Sequence, residues 1–60
     1  MDIQKEKIVE IFEEGSNKVV KYKQRIKNNT INATTEIETD SLNTLISEVR
    51  KQVNEWSKLT

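Results

Sequence analysis

Six residues between Ile8 and Ile26 constrain this chain most. Ile8, Phe12, Gly15, Val19, Tyr22 and Ile26 are separated by 4, 3, 4, 3 and 4 positions. That is the a/d spacing of a heptad seam, the apolar stripe by which one helix grips another. Read this way, the seam predicts one long helix over about residues 2–28. The charges agree with that reading. Acidic side chains (Asp2, Glu6, Glu10, Glu13, Glu14) dominate the first half, and Lys18, Lys21, Lys23, Arg25 and Lys27 the second. Such a gradient complements a helix dipole, and Glu14 with Lys18 makes an i,i+4 pair across its middle.

Gly15 admits two readings. Glu-Glu-Gly-Ser-Asn can be a stop and restart, with Gly15 as the C-terminal cap of one helix and Ser16 as the N-cap of the next. The seam stays in phase on both sides of Gly15, which favours a continuous helix with a point of close approach at the glycine.

From Asn28 to Thr39 the helical pattern lapses into a stretch rich in Asn and Thr, residues whose side chains compete for backbone hydrogen bonds. Ile31, Ala33, Thr35 and Ile37 alternate, as a short strand would. A lone strand between two helices has nothing to pair with, so a loop is expected, with Ile31 and Ile37 covering the ends of the helices. A second helix is expected over about 40–58, capped by Asp40. Its stripe is Leu42, Leu45, Ile46, Val49, Val53, Trp56 and Leu59, wider than a two-helix seam and suited to a core-facing helix. Gln52 lies at its edge.

The expected fold class is therefore all-α: one domain, residues 1–60, forming a two-helix antiparallel hairpin. The packing residues would be Ile8, Phe12, Gly15, Val19, Tyr22, Ile26, Leu42, Leu45, Ile46, Val49, Val53 and Trp56. A 60-residue chain without Cys has no disulfide to staple a small core. One hairpin also leaves part of each stripe uncovered. Both points predict a homodimer forming a four-helix bundle.

The composition closes off much chemistry. With no His and no Cys, the usual acid–base, thiol and zinc routes are absent. Carboxylate pairs such as Glu6 with Glu10 sit among lysines, as solvated charges do. No catalytic, cofactor-binding or metal-ligating residue is assigned, and no cofactor is expected. The basic run Lys18, Lys21, Lys23, Arg25 and Lys27 is the one candidate contact surface for phosphates. A net charge of zero and a pI near 6.2 argue against a nucleic-acid partner. No segment has the roughly 20 apolar residues of a membrane span, and the charged N-terminus does not resemble a signal peptide, so a cytoplasmic protein is expected.

Two local resemblances add functional expectations, each over less than half the chain. Thr39-Asp-Ser-Leu42-Asn43-Thr-Leu45-Ile46 resembles the Ser-x-x-Leu-Asp-x-Leu-Ile motif of the small two-helix sporulation-regulatory aspartyl-phosphate phosphatases of bacilli. Asn43 stands where that motif has its Asp, and Thr39 where it has Ser. The resemblance thus implies binding to a response regulator rather than dephosphorylation of one. Arg25-Ile26, Ile31-Asn32-Ala33-Thr34 and Ser41-Leu42 are similar to the start of some phage tail-completion proteins, with Thr35 in place of a Gly. That implies a phage structural accessory role. The expectation common to these readings is a non-enzymatic bacterial or phage module that binds another protein as well as itself.

Overall fold

In the computed structural model, which describes residues 2–59 and the side chains of residues 2–58, four antiparallel strands precede one helix. They are β1 (Ile3–Lys5), β2 (Val9–Phe12), β3 (Val19–Asn28) and β4 (Ala33–Thr39), followed by α1 (Leu42–Leu59). The all-α expectation is overturned. The stretch read as one long helix forms three strands, and the stretch read as a loop forms the fourth. With a single helix among the described residues, the coiled coil, the helical hairpin and its four-helix bundle fall as well.

The reason lies in the arithmetic of the seam. A separation of four residues is about one turn of helix, but it is also two full pleats of strand. Tyr22 and Ile26 therefore share a face in either structure. A separation of three would discriminate, because it crosses to the other face of a strand. Both such separations involve residues that sit outside regular pairing. Gly15 lies in a turn and Val19 at a register shift. Meanwhile Lys21, Lys23, Arg25 and Lys27 occupy every second position of β3, which is the period of a strand with one wet face.

β3 is the central strand. β4 fills one of its edges, from Tyr22 opposite Thr39 to Asn28 opposite Ala33. β1 pairs with Ile26–Asn28, and β2 with Val19–Lys23. Both must lie along the other edge, end to end. Lys5 faces Ile26 and Val9 faces Lys23, so Glu6, Lys7 and Ile8 span a gap that Gln24 and Arg25 span on β3. The extra residue is a bulge that bends this edge. Both backbone groups of Glu6 are bonded: its N–H donates to the Arg25 carbonyl at 3.0 Å, and Gln24 Nε2 donates to its carbonyl at 2.8 Å.

The two hairpin turns follow from local chemistry. Between β2 and β3 the Glu13 N–H donates to the Lys18 carbonyl at 2.8 Å and the Ser16 N–H to the Glu13 carbonyl at 3.0 Å. Gly15 takes φ +75° there, a region that costs little only without a side chain. Neither helical reading of Gly15 is realised: it lies in a turn between two strands, not inside a continuous helix and not at a boundary between two helices. Between β3 and β4, Asn28 Oδ1 accepts from the Thr30 N–H at 2.9 Å, an Asx turn, and Asn32 takes φ 53°, which Asn tolerates better than most residues. Asp2 ties the chain start to this turn. Its N–H donates to Thr30 Oγ1 at 2.9 Å, and its carbonyl accepts from the Asn29 N–H at 2.8 Å.

The expected second helix is present, beginning at Leu42. Ser41 rather than Asp40 stands just before it, and the Ser41 carbonyl accepts the Leu45 N–H at 3.0 Å. The helix packs on one face of β3 and β4. Ile26, Leu45, Val49 and Trp56 form the buried core, with Ile3, Tyr22, Ala33 and Ile37 packed around it. Asn28 is also buried, its side chain engaged in the turn. Leu59 lies outside the described side chains.

Candidate interaction surface

β3 is longer than anything laid beside it. At about 3.3 Å per residue, its ten residues span roughly 33 Å. β4 pairs only with Tyr22 onwards, so Val19, Val20 and Lys21 continue past it with β2 alone for company. The result is a two-stranded arm extending from a helix-covered body, and the chain measures 44 × 17 × 11 Å along its principal axes.

The arm carries the most conspicuous apolar exposure. Phe12 is 51% and Val9 50% exposed, and Ile8 and Val20 are exposed beside them. By register, Val9 and Ile11 share the outer face with Lys23 and Lys21. Glu10 shares the helix-side face with Tyr22, and alternation along β2 puts Phe12 there too. The ribbon is therefore apolar on both faces. Among the described residues, Ile31, Leu42 and Ile46 are the other large exposed hydrophobics. Ile46 joins Ile8, Gln24, Val49, Arg50 and Val53 around a shallow groove of about 300 Å³ where the helix meets the β1–β2 bulge.

The two edges of the sheet differ in character. On the outer face of β4, Glu38 lies 3.6 Å from Lys21, and Glu36 lies 3.9 Å from Lys23 and 3.4 Å from Arg25. Charged side chains of this kind discourage a further strand from adding to an edge. The β2 edge, Val-Glu-Ile-Phe, has a single charge among three large apolar residues. The extra residue of the register shift near its end is Val20, on β3, since Ile11 faces Lys21 while Phe12 faces Val19. β2 itself keeps regular alternation.

The residues expected to pack together divide between these regions. Ile26, Leu45, Val49 and Trp56 meet in the core, and Tyr22 and Val53 are half-buried. Ile8, Phe12, Leu42 and Ile46 are exposed, Val19 lies at the register shift, and Gly15 caps the arm. The heptad reading passed over Ile3 and Ala33, which with Ile37 complete the core, and Val9, Ile11 and Val20, which lie on the β2–β3 ribbon; of the two residues expected to cover helix ends, Ile37 packs against the core and Ile31 is exposed. The missed signal was alternation, in Ala33-Thr-Thr-Glu-Ile37 as much as in the lysines of β3. The basic residues were expected to flank a helical seam on both sides. Instead Lys21, Lys23, Arg25 and Lys27 form one row across the outer face of β3, and Lys18 sits at the turn. Three of that row are ion-paired with β4. Asn43, at the motif position noted above, is exposed in the first turn of α1.

Among the described residues no helix is long and apolar enough to cross a membrane, and no group of acidic side chains gathers as a metal site. No family model matches the chain, and neither a curated protein nor a solved structure matches it.

Proposed function

We propose that this protein is a small non-enzymatic protein-interaction module whose docking element is the β2–β3 arm. The observation that supports the reading is the exposure of Val9 and Phe12, about half of each, on β2, a strand at the open edge of the sheet. An isolated two-stranded hairpin is marginal in water, and an apolar patch on such an element is characteristic of a binding surface. An open strand edge beside it offers backbone hydrogen bonds as well. The absence of His and Cys from the sequence favours binding over chemistry. The phosphate-binding alternative loses ground, because Glu36 and Glu38 already neutralise much of the basic row. In this reading the module works in the cytoplasm, where a fold without disulfides needs no oxidising environment.

The test is affinity capture from extract of the producing cells, with wild-type protein and a Phe12→Ser variant as parallel baits. A protein held by the wild type and lost from a variant with an unchanged melting curve supports the arm as docking element. Equal recovery on both baits overturns it.

A further inference from the structure

We propose that the arm's partner is a second copy of this chain, joined β2 to β2 in one antiparallel register with Glu10 on the two-fold axis. The inference rests on the reading of the arm as a docking element and supplies its occupant.

The argument begins with the two edges. Glu36 and Glu38 guard the β4 edge, whereas β2 presents Val9, Ile11 and Phe12 around Glu10. Closed symmetric pairing of an edge with itself requires an axis normal to the sheet, which makes the strands antiparallel and keeps both helices on the same side. The axis must then pass through a residue, because residues directly opposite share a face.

Placed through Glu10, it sets Val9 opposite Ile11 of the second copy, Ile8 opposite Phe12, and Lys7 opposite Glu13. Each match occurs twice. Apolar meets apolar on both faces, and opposite charges meet at both ends. Moving the axis to Ile11 sets Val9 against Glu13 and Glu10 against Phe12. Moving it to Val9 sets Ile8 against Glu10 and Lys7 against Ile11. Both shifts oppose charge to hydrocarbon. Lys7 and Glu13 are exposed, and neither side chain has an ion pair within the chain among the described residues. Both are therefore available to a neighbour. The register has one internal cost: the two Glu10 carboxylates face each other at the axis, and like charges directly opposite weaken a pair.

That combination makes the register testable. Sedimentation equilibrium on the full chain, from a few to several hundred micromolar, should show monomers and dimers in exchange. Lys7→Glu and Glu13→Lys should each weaken the dimer by about fivefold or more, since each turns two attractions into two repulsions. The double variant should return to within about twofold of wild type. Glu10→Gln should tighten the dimer by about threefold. A monomer throughout this range overturns the self-pairing, and so does a dimer indifferent to Lys7→Glu and Glu13→Lys. In either case loss of capture by Phe12→Ser would still stand for the arm as a docking element for another protein. Self-pairing in the stated register together with unchanged capture by that variant would locate foreign partners elsewhere.

Discussion

The body and the arm share one strand, yet different physics holds each. In the body, the second half of β3 has a neighbour on both edges and a helix on one face. Ile26 is fully buried there, against Leu45, which is equally inaccessible. In the arm, the first residues of β3 have β2 on one edge and no helix comparable to that over the body. The alternation of β3 breaks at Val20, and Val20 and Phe12 face water. Burial of apolar surface contributes stability only where a second layer covers it. The body thus holds the fold together, and the arm relies on the strand it shares with the body. Such weakly covered elements are where proteins place surfaces that change partners.

The contrast is broken most severely by a charge in the body. Val49 sits in the core at 4% exposure, so Val49→Asp buries a carboxylate among hydrocarbon, at a cost of several kcal/mol. A domain of this size has only about 3–5 kcal/mol to lose. The cooperative thermal transition should vanish. Arg50→Asp, one residue along on the exposed side of the helix, should move stability by about 0.5 kcal/mol or less. Circular dichroism melts of the two variants make the comparison at nearly constant helix propensity, and equal melts would mean that the stripe is not the core.

Truncation sharpens the same comparison. Ile26→Ala should cost about 2–5 kcal/mol in urea titration, the range for large buried aliphatic residues. Phe12→Ala removes a larger side chain, but one half exposed, and should cost about 1 kcal/mol or less. Both are best measured at low micromolar protein, because dimerisation would add a concentration-dependent term. A Phe12→Ala loss as large as that of Ile26→Ala would show that the arm is part of the core.

A smaller effect is expected at the arm's turn. An added Cβ at Gly15 meets nothing within 4 Å, so a clash plays no part. The φ of +75° still penalises any L side chain, and Gly15→Ala should destabilise by about 1–2 kcal/mol. A raised melting temperature would mean that the turn readily adopts another conformation.

The smallest effect belongs to the charged face of the body. Glu36→Gln removes the partner of Lys23 and Arg25, but all three side chains are substantially exposed. The loss should be about 0.2–1 kcal/mol, diminishing as salt is raised. A larger loss, insensitive to salt, would point to a structural role for Glu36 beyond charge.

How much of this was legible in advance varied along the chain. The helix was, because Leu45, Val49 and Trp56 repeat at a period that no strand shares; Asp40, read as its cap, stands one residue further out than Ser41, which directly precedes the helix. Three of the four buried core residues followed from that stripe. The strands were concealed by a numerical coincidence, since Ile8 with Phe12 and Tyr22 with Ile26 satisfy both periods at a separation of four. The lysines of β3 carried the deciding signal, and alternation in Ala33–Ile37 carried its echo. Neither counts as evidence for a sheet until the two segments are set side by side, where Arg25 meets Glu36 and Lys23 meets Glu38. Tyr22 and Val19 are partly buried, but Phe12 and Ile46, which share the same apolar spacing, do not enter the interior.

By itself the sequence determined the C-terminal helix, the Leu45, Val49 and Trp56 part of its buried stripe, and the absence of thiol and imidazole chemistry. These properties are local: they depend on residues within a few positions of one another or on composition alone. Only the tertiary structure decided that residues 3–28 form strands, that β1 and β2 share one edge of β3, and that Phe12 and Val9 are left in water. Strand pairing joins residues distant along the chain, and a strand's backbone hydrogen bonds are satisfied by its neighbour rather than by itself. Whether an apolar residue is core or surface then depends on where the covering helix ends, which no local spacing records.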